Sequence, residues 1–131
     1  MDKAQVLHLF WSSFGLPAID ENSAYDRAAM QEQGITFPYI SYEVASGNLS
    51  EFSQQLTGNL WYRSTSWKDC EEKAQAIADA IGYGGKIFPV NGGYLRIMLP
   101  LNSIIYRRVA DPDDSIRRIS FTIAVDFLTA T

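Results

Sequence analysis

Cysteine and histidine are almost missing from this sequence, with one of each, Cys70 and His8. A lone cysteine rules out any intrachain disulfide and fits a reducing cytosol better than a secreted, disulfide-stapled fold. One histidine and one cysteine also fall short of the three or four borderline or soft ligands that a zinc-type site needs. Long apolar runs are absent as well. The stretch from Val6 to Trp11 is broken by His8 and is far too short to span a bilayer, and the Met1-Asp2-Lys3-Ala4 start has no basic leader, so neither a membrane nor a classical export signal is expected. An excess of bases is the last thing lacking. Fifteen acids against eleven bases give a net charge of -4, which argues against affinity built on neutralising phosphates, and nucleic acid is not the expected principal partner.

What is present is an ordinary globular composition, 47% hydrophobic and 20% charged over 131 residues, which is enough for one core and is read as a single domain over 1–131. Leu7, Phe10, Trp11 and Phe14 recur at spacings of three and four and predict a helix over 3–14, with Asp2 as N-cap and Gly15 as the stop. Leu9 projects opposite that stripe, so this helix has apolar surface for a second contact. Residues 16–35 lack a clean period and read as a loop with one turn of helix around 24–30. From Phe37, alternation puts Ile40, Tyr42 and Val44 on one face of a strand that begins at Pro38. Residues 54–63 alternate again with Leu56, Leu60 and Tyr62, giving a hairpin. A second helix is predicted over 67–81 from the stripe Trp67, Cys70, Ala74, Ile77, Ala78, Ile81, with Ser66 as N-cap, Asp69 in a capping-box spacing and Gly82 as the stop. Residues 86–90 and 94–100 form a hairpin around Asn91-Gly92-Gly93, and residues 103–109 and 117–128 a second pair across the Asp111 to Ser115 loop. The last strand is about twice the usual length, so part of it is expected to reach beyond its own sheet. The fold class is α+β, a mostly antiparallel sheet with two main helices packed against it.

Chemistry is sparse. Any nucleophile-histidine arrangement must use His8, which reads as a boundary residue of the first helix, while Cys70 lies on the core stripe of the second. Asp111, Asp113 and Asp114 offer oxygens but lack the spacing, glycine and terminal glutamate of an EF-hand, and read as a solvated turn. The glycines at 82, 84 and 85 follow a helix, whereas phosphate loops precede one. No catalytic residue, cofactor or metal is assigned, and the chain is not expected to be an enzyme. Two arginine pairs hold more information. In an antiparallel hairpin Arg107 and Arg108 face Arg117 and Arg118, and like charges opposite one another need compensation, either from Asp111, Asp113 and Asp114 or from acids of a neighbouring copy. The first 95 residues carry six bases against eleven acids, a net of -5, and the rest +1, unlike regions that head-to-tail association would bring together.

The short N-terminal helix, Phe37-Pro38-Tyr39-Ile40-Ser41-Tyr42, Gly58-Asn59-Leu60-Trp61-Tyr62, the helix from Ser66-Trp67 and the closing strand Arg117-Arg118-Ile119-Ser120-Phe121-Thr122-Ile123-Ala124-Val125 together resemble the tail terminator or minor tail proteins of long-tailed bacteriophages and prophages. The resemblance implies a structural protein without catalysis that forms a ring, commonly hexameric, on the end of the tail tube. The implied partners are copies of itself, the tail tube protein and the head–tail connector, and the implied location is the virion, after assembly in the host cytoplasm. On this reading Leu9, Arg107, Arg108, Asp111, Asp113, Asp114, Arg117 and Arg118 are the interface candidates. The alternative is a small ligand-binding or hydrolytic domain whose aromatic pocket is built from Trp61, Tyr62, Trp67 and Tyr94.

Overall fold

A computed structural model describes residues 2–21, 37–44, 54–101 and 104–129. Along the chain they form α1 (Lys3–Ser12), β1 (Ala18–Asp20), β2 (Tyr39–Tyr42), β3 (Gln54–Arg63), α2 (Lys68–Ile81), β4 (Lys86–Val90), β5 (Gly93–Met98), β6 (Tyr106–Val109) and β7 (Ile116–Thr129). The strands build one sheet in the order β1-β2-β3-β7-β5-β4, with β6 also paired to β7. Every pairing is antiparallel except β1 with β2. The α+β class is as expected from the sequence.

α1 starts where Asp2 and Gln5 satisfy each other's backbone donors: Gln5 N–H donates to Asp2 Oδ1 at 2.8 Å and Asp2 N–H to Gln5 Oε1 at 3.0 Å. It ends at Ser12, two residues short of the predicted last residue Phe14, before Gly15 at φ 84°. Val6, Leu7, Phe10 and Trp11 are buried, and Leu9 stands out at 49% exposure. α2 runs to Gly82 at φ 65° and buries Cys70, Ala74, Ile77, Ala78 and Ile81. Its N-cap differs from the sequence expectation. Trp67 holds that position without a side-chain bond to the helix, and the capping box through Asp69 does not form. Ser66 Oγ still accepts from Lys68 N–H at 3.1 Å, from the position just before the observed N-cap.

β1 was not expected: three residues cannot display a period, and its partner β2 lies parallel, across a long connection. The turn of helix expected at 24–30 and the β2–β3 connection lie outside the described residues. β4 and β5 form the expected hairpin, turning at Gly92 with φ 86°. Pro89 stands on β4, at one end of the strand order, where a missing N–H is tolerated.

β7 corrects the largest structural expectation. Its 14 residues do not overhang the sheet but form its spine. Residues 116–125 pair with β3 along one edge, while the other edge is shared end to end by β6 at 118–121 and β5 at 124–129. Ile119, Phe121, Ile123 and Val125 are buried on the face covered by the helices, in one core with Leu60, Leu95, Ile97, Ile77 and the aromatic group of α1. Trp11 lies so close to β3 that a Cβ on Gly58 would fall 2.6 Å from its Cη2, which is why that strand position holds glycine. The indole is hemmed in by Phe10, Phe14, Tyr42 and Phe121, so it has no room to retreat.

Candidate assembly surfaces

Register decides the fate of the arginines. Arg107 pairs with Ser120, Arg108 with Ile119 and Val109 with Arg118, so the two arginine pairs do not confront each other as the sequence suggested. Alternation splits each pair between faces. Arg108 and Arg117 point to the helix side. Arg108 donates through Nε to Glu71 of α2, and both guanidinium groups lie over the Trp67 ring, at 5.0 and 5.4 Å from its centre. The hydrogen bond with Arg108 holds the Glu71 carboxyl below its ordinary range and raises the arginine in return. Arg117 is spent on carbonyls, reaching Asp114 at 2.9 Å and Thr65 at 2.9 Å. Arg118 lies on the opposite, outer face, donating to Asn59 Oδ1 at 2.9 Å over the Trp61 ring, which in turn stacks on Tyr39.

The loop carboxylates, one of the two sources of compensation that the sequence offers, are not paired with these arginines among the described residues. Asp111 Oδ1 accepts from Asp113 N–H, and Asp113 Oδ1 accepts from both the N–H and the hydroxyl of Ser115. These are Asx-type bonds that shape their own turn. They also pull the Asp113 carboxyl below its usual range. Compensation of Arg108 comes instead from Glu71 of α2, distant in sequence.

Arg107 is the exception. It is exposed and lies on the outer face, and its guanidinium makes no hydrogen bond or ion pair with any described residue. Around it Thr57, Ser120, Thr122 and Ile104 line an open groove of about 390 Å³, and Ile104 is 68% exposed. Sequence reading missed this groove because Ile104 sits outside any regular element and the three hydroxyls converge only through the β3–β7–β6 register. A second outer-face feature also went unread: Ile87, Tyr94 and Leu128 are exposed at the β4–β5–β7 end, where Tyr94 pairs with Leu128. The signal was available, since these residues occupy the off-core phase of their strands.

The catalytic and pocket alternatives find no convergence among the described residues. His8 Nδ1 is 2.9 Å from the Tyr42 hydroxyl and its Nε2 is 3.4 Å from Ser12 Oγ. Cys70 is buried elsewhere, its Sγ directed at Leu60 O, and burial pushes the thiol up to about 12, with the nearby Glu71 adding to it. That is the opposite of an activated nucleophile. Trp61 and Tyr62 are consecutive on β3 and so face opposite ways. Tyr62 and Trp67 pack on the core side, while Tyr94 is exposed at the far end of the sheet. These four aromatics do not enclose one pocket. Among the described residues no three His, Cys, Asp or Glu side chains gather as for a metal ion, and no helix is long and apolar enough to cross a membrane.

No family model and no curated protein matches the chain. Among solved structures it is similar to a chain described as "Virion of native gene transfer agent (GTA) particle", at a TM-score of 0.53 and 13% identity, covering 91% of this chain and 84% of that one. At such low identity the two share a fold, and the likeness spans nearly the whole of each.

Proposed function

We propose that this chain is a structural, non-catalytic subunit of a phage-like particle. It forms a ring on the end of a tail tube, commonly a hexamer in proteins of this kind, and there terminates the tail or joins it to the head connector. The observation that carries the reading is the fold shared over 91% of the chain with a component of a gene transfer agent virion, joined to the sequence resemblance to tail terminator proteins. Its partners are further copies of itself, the tail tube protein and the connector. Its place is the virion, after assembly in the host cytoplasm.

Physical features of the surface agree with a heterologous, ring-closing contact, in which two different patches of one subunit meet on neighbouring copies. Leu9 gives α1 an exposed apolar point, the outer sheet face carries Arg107 and Arg118, the loop before β7 carries Asp111, Asp113 and Asp114, and the Arg108 and Arg117 side chains reach towards the start of α2. The experiment is sedimentation velocity and electron microscopy of the protein alone and mixed with tail tubes. Rings, free or seated on tube ends, are the expected result. A monomer in both conditions refutes the proposal. Assembly through charged surfaces also weakens as salt rises, since screening acts within about 8–10 Å near physiological ionic strength.

A further inference from the structure

The arginine groove and the outer side of α2 lie on opposite sides of the same part of the domain. α2 packs on β3 and β7 and is tied to β6 through Tyr106 with Gln75 and Arg108 with Glu71. The groove lies directly behind, on the other face of those three strands. A contact that joins the two sides therefore runs head to tail through the thickness of the molecule.

The chemistry of the two sides is complementary. A guanidinium with no partner among the described residues, flanked by the hydroxyls of Thr57, Ser120 and Thr122, makes a receptor for a carboxylate, because the planar fork and the hydroxyl donors satisfy both oxygens. A phosphate backbone calls for a track of several cations, and among the described residues that line this groove there is one. On α2 the exposed side, turned away from the core stripe, presents Asp69, Glu72, Ala76 and Asp79 at spacings of three, four and three, with Lys68 the one exposed base beside them. Asp79 already accepts from Gln75 at 2.9 Å, whereas the Glu72 carboxylate makes no hydrogen bond or ion pair with a described residue. Ala76 leaves space beside Glu72 for the exposed Ile104 side chain of the groove.

We propose that the groove centred on Arg107 receives the acidic outer face of α2 from the next copy of this chain, with Glu72 paired to Arg107; this rests on the ring-forming role proposed above. Arg107 thereby separates from Arg108, Arg117 and Arg118, which are occupied within their own subunit.

The test is a charge exchange read by sedimentation velocity, with circular dichroism confirming that each variant is folded. Arg107→Glu and Glu72→Arg each raise the concentration needed for half-assembly by about tenfold or more, and the doubly exchanged protein returns to within about threefold of the wild type. If the wild type assembles and the single variants assemble equally well, or the double variant fails to recover, this pairing is wrong while the ring-forming role stands. If the wild type stays monomeric alone and on tail tubes, both fall. Labelled duplex DNA is titrated in parallel, and a variant Arg107→Glu that loses DNA binding but assembles normally assigns the groove to phosphate and overturns the proposal.

Discussion

The two faces of β7 are built from alternate residues of one strand and serve different ends. Ile119, Phe121, Ile123 and Val125 meet both helices and are fully buried, whereas Arg118, Ser120 and Thr122 on the reverse side carry hydroxyls and charge. The inner face closes the fold within one chain. The outer face leaves hydrogen-bonding capacity and Arg107 facing solvent, which is what a surface that meets another molecule requires. Stability and association are thus separated by a single step in sequence, and substitutions on adjacent residues should have unrelated effects.

The strongest way to break that comparison is on the inner face. Phe121→Asp places an unpaired charge among buried side chains and abolishes cooperative thermal unfolding monitored by circular dichroism, while Phe121→Ala costs about 3–5 kcal/mol in a urea melt. A Phe121→Asp protein that melted like the wild type would mean the core is elsewhere. Next comes the contact of Trp11 with β3. Gly58→Ala destabilises by about 1–3 kcal/mol, because the added methyl meets an indole that cannot move. On the outer face Thr122→Ala leaves the melt within about 0.5 kcal/mol of the wild type. Leu9→Asp, on exposed α1 surface, behaves likewise in the melt but impairs self-association. The smallest expected effect is alkaline. Burial raises the Cys70 thiol to about 12, so the folded protein holds a proton that the unfolded chain gives up earlier. This stabilising contribution is complete below the ordinary thiol range and is lost as pH climbs through it towards about 12. Comparing pH-dependent melts of the wild type with Cys70→Ala isolates it, the variant showing the shallower alkaline fall.

Much of the fold was legible because its elements carry strong periods. The stripe on α2, the alternation of β3 and β7, the glycine turn between β4 and β5 and the Asp2 cap all act locally, and local physics is written in consecutive residues. β1 was not legible because three residues paired in parallel leave no pattern. The length of β7 was visible, yet its meaning was not: a long strand can overhang a sheet or serve two neighbours on one edge, and only the partners decide. The arginine pairs show the same limit. Their spacing invited a picture of mutual repulsion, but a register that sets Arg108 against Ile119 sends alternate residues to different faces, where Glu71, Trp67 and Asn59 wait. Exposure of Leu9 followed from helix geometry alone. The groove around Arg107 depended on three strands at once and was invisible.

β3, β5 and β6 each pair with β7, the last of the described strands to be made. During translation the two hairpins β2–β3 and β4–β5 have only local partners, and the apolar faces of both helices lack the strand that joins the halves. The sheet can therefore close only after β7 has left the ribosome. Nascent chains arrested before it would expose hydrophobic surface to chaperones, and subunits able to associate would appear only once β7 has been made.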